Sequence, residues 1–389
     1  MTSQDRLFSK EFIILSAMVV IGQSNVALFF QFPEYLSGLG IDKKWFGFLI
    51  GVFSFSVIII RPLISPLLRP QNAIRWIILG AYSLMAVLVL YDLAGGLWTM
   101  TAIRVLHGAA YVVLATATFA LAVAYIPAAK SGQAFGILTV LGVIPFAVVP
   151  PLVSPLWALL GGFDRVLDVF ALINGSVLIL CTLLPAPASP ESAHDHQRIS
   201  FLEVRENLKD PRINRLLLLS LLLWTAYAPA FYFLDGYGRI LEIPNPGWFF
   251  TLCTGTEIAI RLLAGSLFDR FSKPYQLAAS FALLTLCFIG LAYAPRGPLF
   301  YTLGIAFGLG WGIGMPVLTS LVFDVSLPKF KAMNTNLAMV MFQLGFLVGP
   351  IMGSVALAQW SYRGVFLICA VLNACAVLTT MLSFKGRRA

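Results

Sequence analysis

A glutamate and an arginine four positions apart are the residues best suited to proton chemistry in this sequence. In a helix, Glu257 and Arg261 share one face and lie one turn apart. Both fall within an apolar stretch, where a charge at the middle of a bilayer costs at least about 2.5–3.5 kcal/mol and is seldom kept without a role. Two interpretations stay open: a neutralised structural pair, or a carboxylate that takes up a proton when Arg261 turns to another partner.

Arg104 and His107 form a second candidate pair in another apolar stretch. They are three positions apart, so they also share a helix face. Histidine changes its charge near neutral pH, which makes His107 the second choice for proton transfer. The alternative is a core histidine that is hydrogen-bonded to a neighbour.

Polar and aromatic side chains inside apolar stretches are candidates for the wall of a binding site. An unpaired amide is costly at mid-helix in a membrane, so Gln23 and Asn25 face either a wet cavity or a partner on another helix. The aromatic candidates lie in two stretches that Pro229 and Pro316 are expected to break. The predicted substrate-binding set is Gln23, Asn25, Arg104, Trp224, Tyr227, Trp311 and Gln343.

Composition predicts the elements that must position these residues. Hydrophobic residues make up 59% of the 389, charged residues 11%, and the mean hydropathy is +0.88. A soluble domain carries about 25% charged residues. The sequence therefore excludes a soluble enzyme, a disordered protein and a secreted disulfide scaffold. Its long apolar runs indicate an all-α polytopic membrane protein, because a β-barrel would show short alternating segments.

Motifs of enzymes and of metal sites are missing from the sequence. There is no phosphate-binding loop, no nucleophile elbow and no HExxH, so we expect neither an enzyme nor an ATP-driven pump. The five cysteines lie in apolar runs without a CxxC pair and are interpreted as buried thiols. His194 and His196 form a weak HxH in a polar segment, which is interpreted as solvated. No cofactor and no metal site are expected.

The sequence contains twelve segments of about 20 apolar residues, which is the length that crosses a bilayer. A polar segment, 185–212, separates the first six from the last six, so the predicted domains are 1–184 and 213–389 with a linker between them. The first segment lacks a clear cleavage site and is interpreted as a retained helix. The predicted spans are 11–33, 45–68, 73–92, 97–125, 132–155, 166–184, 213–235, 247–268, 275–293, 298–323, 332–357 and 362–383.

The net charge of +9 reports topology and not nucleic-acid binding. With both termini placed in the cytoplasm, 17 of the 26 lysines and arginines fall on the inner side, 6 on the outer side and 3 within spans. This bias follows the positive-inside rule. The compact loops suit a bacterial inner membrane.

Charges near the ends of spans are candidates for gates. Arg61 lies near a cytoplasmic end, where it either gates or anchors the helix by snorkelling. Glu34 and Asp235 fall at outer ends, as acids of an outer gate or as solvated interface charges.

The two halves repeat at an offset close to 200. Gly108 falls on Gly308, Pro150 on Pro350, and Arg61 on Arg261. A duplicated six-helix unit is typical of secondary transporters, whose substrate site lies between the repeats near the bilayer midplane.

On these features the sequence resembles the major facilitator superfamily over nearly its whole length. The loop Gly265-Ser-Leu-Phe-Asp269-Arg270-Phe-Ser-Lys273 looks like the GxxxDRxxRR loop of that family. The resemblance implies that Gly265, Asp269, Arg270 and Lys273 form a latch of the cytoplasm-closed state. The first-half copy departs from the pattern, because Ser65 and Arg69 stand where glycine and aspartate are usual.

Two further motifs are similar to the drug–proton antiporter branch of the family. Arg104-Val-Leu-His107-Gly108 resembles its RxxxG motif, and the eleventh predicted span, 332–357, carries a GxxxGPxxG pattern from Gly345 to Gly353. In that branch the second pattern belongs to the fifth span, which here is 132–155 and contains the prolines but few of the glycines.

These observations predict a twelve-helix, two-bundle transporter that works by alternating access. The expected activity is proton-coupled export of an amphipathic anionic or zwitterionic compound, with the bilayer, protons and a small molecule as partners and a monomer as the working form. Proton-coupled or facilitated uptake of an organic anion is the alternative. A non-transporting receptor or assembly subunit and a lipid translocator are more distant ones.

Overall fold

The protein, described here by a computed structural model, consists of helices joined by short turns and loops in the residues that the structure describes, 8–126, 130–185, 201–263, 271–293 and 297–384. The predicted all-α class is therefore confirmed. The chain forms two compact units, Met1–Ile41 with Val52–Ala193, and Asp42–Gly51 with His194–Ala389. The α-helices are α1 Lys10–Ala27, α2 Phe32–Gly38, α3 Phe46–Ile64, α4 Pro70–Leu90, α5 Leu97–Ala124, α6 Ser131–Leu160, α7 Phe163–Thr182, α8 Phe201–Asn207, α9 Pro211–Ile240, α10 Trp248–Leu263, α11 Lys273–Ala292, α12 Pro298–Val325, α13 Lys331–Gln359 and α14 Tyr362–Phe384.

Eleven helical stretches within the described ranges are long and apolar enough to cross a membrane. The first of them, Lys10–Gly38, runs through α1, a short 3₁₀ turn and α2. The predicted span 247–268 corresponds to α10, of which the described stretch is 16 residues long and ends at Leu263. The chain is an integral membrane protein.

Helix ends follow the sequence signals expected of them. The Ser9 hydroxyl caps α1 by accepting a hydrogen bond from the backbone N–H of Phe12 at 3.2 Å. Asp210 caps α9 in the same way through Arg212, just before Pro211 at the first helical position. Hydrogen bonds from the Arg212 side chain hold the pKa of Asp210 below its usual value. Gly161, with φ of 83°, ends α6 in the left-handed conformation.

The predicted breaks at Pro229 and Pro316 are wrong, because α9 and α12 run through them without interruption. Prolines are tolerated in membrane helices when neighbouring helices and local adjustments accommodate the freed backbone. Gly349 of α13 leaves room for one of these rings, since a Cβ added there would lie 3.0 Å from Cδ of Pro229.

The polar linker contains a helix that its composition did not predict. The short helix α8 is held within the second unit by a buried amide pair, in which Asn207 Nδ2 donates to Asn334 Oδ1 at 2.7 Å. Asn334 Nδ2 in turn donates to the Ser326 hydroxyl at 2.8 Å, and Glu203 pairs with Lys329. The C-terminal portion of the linker is therefore fixed to the ends of α12 and α13.

A seam of glycines brings α12 into backbone contact with α10. A Cβ on Gly308 would lie only 2.2 Å from the carbonyl oxygen of Cys253. One turn further along both helices, a Cβ on Gly312 would lie 3.1 Å from the Cα of Glu257. At Gly308 a side chain would force the two backbones apart, whereas at Gly312 the contact is tight and a small shift would be needed.

The first unit repeats this seam at the offset of 200 residues. A Cβ on Gly108 of α5 would lie 2.5 Å from the carbonyl oxygen of Phe53 of α3. Phe53 and Gly108 correspond to Cys253 and Gly308 in the second unit. The internal repeat inferred from sequence therefore appears as the same helix–helix contact in each unit.

Candidate functional site

The glutamate and arginine of α10 form a largely buried ion pair. Arg261 Nη2 donates to Glu257 Oε1 at 2.5 Å, and their side chains are 17% and 5% exposed, respectively. The contact with Gly312 fixes the helix backbone at Glu257. Arg261 Nε is buried and has no hydrogen-bond partner among the described residues, so the guanidinium keeps an unused donor. Arg261 therefore has a donor that could bind a further acceptor beside the ion pair.

Aromatic rings from three helices of the second unit meet beside this pair. Trp224 and Tyr227 of α9 lie 4.7 and 4.3 Å from the ring of Trp311 on α12. Phe342 of α13 closes the cluster at 4.4 Å from Trp224. Tyr227 also lies close enough to Glu257 to interact with its charge. The structure thus brings together all three predicted substrate-binding aromatics, and it adds Phe342, which the sequence did not distinguish from core.

Gln343 follows Phe342 on α13 and is buried. A buried amide in a membrane helix is costly unless it is hydrogen-bonded, and its assignment to the substrate-binding set stays a prediction.

Arg104 lies in the first unit, within a box of aromatic rings. Its guanidinium carbon is 4.8, 4.7 and 4.9 Å from the ring centroids of Phe29, Phe32 and Phe53. The side chain is 1% exposed. Cation–π contacts of this kind stabilise a charge that is removed from water.

His107 is tied to Arg104 through Tyr91, a residue that the sequence pattern did not indicate. Arg104 Nη1 donates to the Tyr91 hydroxyl at 3.4 Å, and that hydroxyl lies 3.0 Å from His107 Nδ1. The tautomer of His107 sets which of these two groups donates, because the hydroxyl oxygen can accept a second hydrogen bond. His107 Nε2 has no hydrogen-bond partner among the described residues. This geometry matches the core histidine that sequence left open as the alternative.

The amides of α1 are engaged with other helices of the same unit. Asn25 and Asn174 exchange hydrogen bonds of 2.9 and 2.7 Å between α1 and α7. Gln23 accepts a bond of 2.9 Å from the hydroxyl of Tyr111 on α5. Asn25 therefore shows the interhelical bonding that was the alternative to substrate contact, while Gln23 is only partly buried.

The predicted cytoplasmic gate falls only partly within the described residues. Lys273 begins α11, and its Nζ donates to Ser320 at 2.7 Å and pairs with Asp324 at 2.6 Å, so it ties α11 to α12. Arg61 of α3 is partly exposed and keeps its Nε without a hydrogen-bond partner in the described ranges. Three further members of the predicted latch lie outside the described residues: Gly265, Asp269 and Arg270.

The two acids of the predicted outer gate differ in their surroundings. Asp235 is 1% exposed and pairs with Arg239 one turn along α9 at 2.9 Å. It is therefore not the solvated interface charge that the sequence allowed. Glu34 of α2 is partly exposed. Among the described residues, no group of three or more His, Cys, Asp or Glu side chains is arranged to hold a metal.

Comparison with known proteins identifies one family. A family profile described as Major Facilitator Superfamily matches residues 12–326 and 244–389. The multidrug resistance protein MdtG of Escherichia fergusonii is 24% identical over 372 residues, which cover 92% of this chain and 90% of that protein. MdtG of Escherichia coli strain SMS-3-5 is 25% identical and covers 87% of this chain and 85% of its own.

Solved structures share the fold at low identity. The nucleoside transporter NupG superposes with a TM-score of 0.80 at 15% identity, covering 97% of this chain and all of NupG. A bacterial homolog of the human lysosomal transporter Spinster, inward-facing and unoccupied, superposes at 0.78 with 11% identity and covers 99% of this chain and 98% of its own.

Proposed function

The chain belongs to the Major Facilitator Superfamily of transporters, and from that premise we propose that it exports a small amphipathic zwitterion or anion in exchange for protons by alternating access. The observation that carries the proposal is the Glu257–Arg261 ion pair with its unused Arg261 donor. The name of the MdtG relatives, multidrug resistance protein, supports export. A bacterial inner membrane and a monomer belong to the proposal as well.

The ion pair offers one site for which a proton and a substrate cation compete. When Glu257 is ionised, its carboxylate can bind an ammonium group and Arg261 can bind a carboxylate, so that a zwitterion replaces the internal pair. When Glu257 is protonated, the ammonium loses its partner and the compound leaves. The Arg261 guanidinium and the substrate ammonium group stabilise only the ionised form of Glu257. Competition between the proton and the ammonium group for this carboxylate therefore couples inward proton movement to outward movement of the substrate.

The ring cluster of Trp224, Tyr227, Trp311 and Phe342 supplies the apolar contact for such a compound. Aromatic side chains in a site of this kind provide large contact areas, while a few polar groups fix orientation. An amphipathic molecule would place its charges on the ion pair and its apolar portion on the rings.

Uptake is the second candidate, because a purely anionic compound would bind to Arg261 and have no group for Glu257. An anion that takes Arg261 leaves Glu257 without its partner, so that a proton binds together with the anion. The substrate charge therefore determines direction: a zwitterion favours exchange with protons, and an anion favours movement with them.

Everted membrane vesicles, acidified inside and loaded with a pH-sensitive dye, test the proposal. We expect one or more zwitterions in a panel of zwitterions, anions and cations to cause an alkaline shift in the wild type and none in Glu257→Gln. Counterflow exchange of the zwitterion should be weakened as well, because the neutral side chain mimics the protonated state, which leaves the ammonium group without its partner. Glu242→Gln, at an exposed glutamate after α9, is the matched control.

Two results would contradict the proposal. Unchanged proton-driven flux in Glu257→Gln would remove this carboxylate from the coupling. An acid shift with anions and none with zwitterions would replace export by uptake.

A further inference from the structure

An open cavity of about 500 Å³ lies at the N-terminal end of α14. Its lining changes from polar to apolar along the helix. One end carries Trp360, Ser361 and Arg363, and the other carries Leu367, Ile368 and Val371. The cavity belongs to the second unit and uses none of the residues assigned to proton coupling.

The cavity opens on the surface of α14 that faces lipid. Trp360, Val371 and Leu378 are 66%, 60% and 63% exposed, and they lie on or beside a helix that is long and apolar enough to span the membrane. An exposed apolar face on such a helix contacts hydrocarbon. The charge distribution along the chain predicts that this end of α14 is external, and tryptophan is typical of the membrane–water boundary.

The depth of the cavity matches the boundary between headgroups and acyl chains. Arg363 and Val371 are eight residues apart, which is about 12 Å along a helix. The polar end therefore lies at headgroup depth beside Trp360, and the apolar end lies within the hydrocarbon layer.

Arg363 is held at the polar end with unused donors. Its Nε donates to the backbone oxygen of Ala292 at 3.2 Å, and its guanidinium carbon lies 4.8 Å from the ring centroid of Tyr293. Within the described ranges, its two terminal nitrogens donate no hydrogen bond and no carboxylate pairs with it. A fixed positive charge therefore faces the cavity, in the planar geometry that suits a phosphate.

We propose that this cavity binds an anionic phospholipid of the surrounding bilayer. The phosphate of the lipid accepts hydrogen bonds from the terminal nitrogens of Arg363. One acyl chain of the lipid packs against Leu367, Ile368 and Val371. The indole N–H of Trp360 is available to an ester oxygen at the same depth. A free phosphate would satisfy the arginine but would leave the apolar end empty, so the lining selects a lipid.

Native mass spectrometry of the purified protein in detergent, titrated with phosphatidylglycerol, phosphatidylethanolamine and inorganic phosphate, tests the proposal. We expect the wild type to bind phosphatidylglycerol in preference to phosphatidylethanolamine and to retain no inorganic phosphate. Arg363→Gln should weaken phosphatidylglycerol binding about fivefold, the factor that about 1 kcal/mol per surface arginine gives. Val371→Trp, which fills the apolar end without changing the charge, should weaken binding of both lipids.

The matched control is Arg165→Gln, which removes another arginine from the predicted outer side. Arg165 is 62% exposed and already pairs with Asp168, so its loss should leave phosphatidylglycerol binding unchanged. Size-exclusion chromatography of every variant shows that it is folded.

Equal phosphatidylglycerol affinity in the wild type and Arg363→Gln would overturn the proposal, as would phosphate binding that competes with the lipid. If Arg363→Gln does not yield folded protein, the other two variants decide the outcome. Val371→Trp must then lose phosphatidylglycerol binding, and Arg363→Lys must keep it.

Discussion

The reciprocal bonding of Asn25 and Asn174 shows how a polar side chain in a membrane helix can be satisfied without a ligand. Each amide donates to the other and also to a carbonyl of its own helix, Asn25 to Ile21 and Asn174 to Phe170. His107 follows the same rule through Tyr91. Polar residue type alone therefore does not identify a substrate site, whereas an unused donor beside an ion pair, as at Arg261, is a stronger indication.

A double-mutant cycle on the two asparagines tests this structural role. Asn25→Val, Asn174→Val and the double variant should give a coupling of about 0.5–2 kcal/mol, because each single change leaves one buried amide without its partner. Chemical unfolding in detergent measures the free energies. Strictly additive effects would show that the pair contributes no joint stability, and selective loss of substrate binding at full stability would support the predicted substrate contact of Asn25.

At the scale of elements, the position of Glu257 depends on the seam between α10 and α12. The seam exists because glycines recur on α12 every four residues, against backbone atoms that recur every four residues on α10. Close backbone approach of this kind drives helix association in membranes, where apolar burial gives little advantage over lipid. Packing at the seam and the geometry of the ion pair are therefore linked.

Gly308→Ala should destabilise the second unit by about 1–3 kcal/mol, the usual cost of overpacking. The new Cβ would lie 2.2 Å from the carbonyl oxygen of Cys253, and a backbone atom cannot turn aside as a side chain can. Thermal unfolding in detergent measures the effect.

Gly255→Ala on α10 is the matched control, because a Cβ there meets nothing within 4 Å. It should be neutral or stabilise the helix, since alanine is the better helix former by about 1 kcal/mol. Equal effects of the two substitutions would show that the α10–α12 seam is not tightly packed.

Sequence predicted the helices well because length and hydropathy alone determine what can cross a bilayer. It predicted the Glu257–Arg261 pair because both residues lie on one helix at a fixed spacing. It could not predict Tyr91 or Asn174 as partners, because their distances from His107 and Asn25 depend on which helices pack together. It expected breaks at Pro229 and Pro316 because a single helix considered alone does not show the neighbours that accommodate a proline.

At the scale of the whole molecule, topology rests on the asymmetry of lysine and arginine between the two sides. The helix α9 connects a basic segment that includes Lys209 and Arg212 to the loop that contains Glu242. Because α9 is 30 residues long and apolar enough to span, the residues at its two ends should lie on opposite sides.

Single-cysteine labelling tests this topology in a chain whose five native cysteines are replaced. Glu242→Cys should react with a membrane-impermeant maleimide in intact cells, and Lys209→Cys only after permeabilisation, because the positive-inside rule retains the basic segment in the cytoplasm. Glu242 and Lys209 are both exposed, so both should react in detergent. Reaction of Lys209→Cys alone in intact cells would invert the topology.

The placement of Glu257 and Arg261 on the same helix has a consequence for the order of events in time. No displacement of α10 can separate residues that it carries together; only rotation of their side chains can. Side-chain rotation is complete in nanoseconds where side chains are free to move, whereas collective helix motions take microseconds to milliseconds. Under the proposed coupling, we therefore expect protonation of the pair to reach equilibrium before each change of conformation. The slow step of a turnover would then depend on how many molecules carry a proton, and not on how quickly the proton arrives.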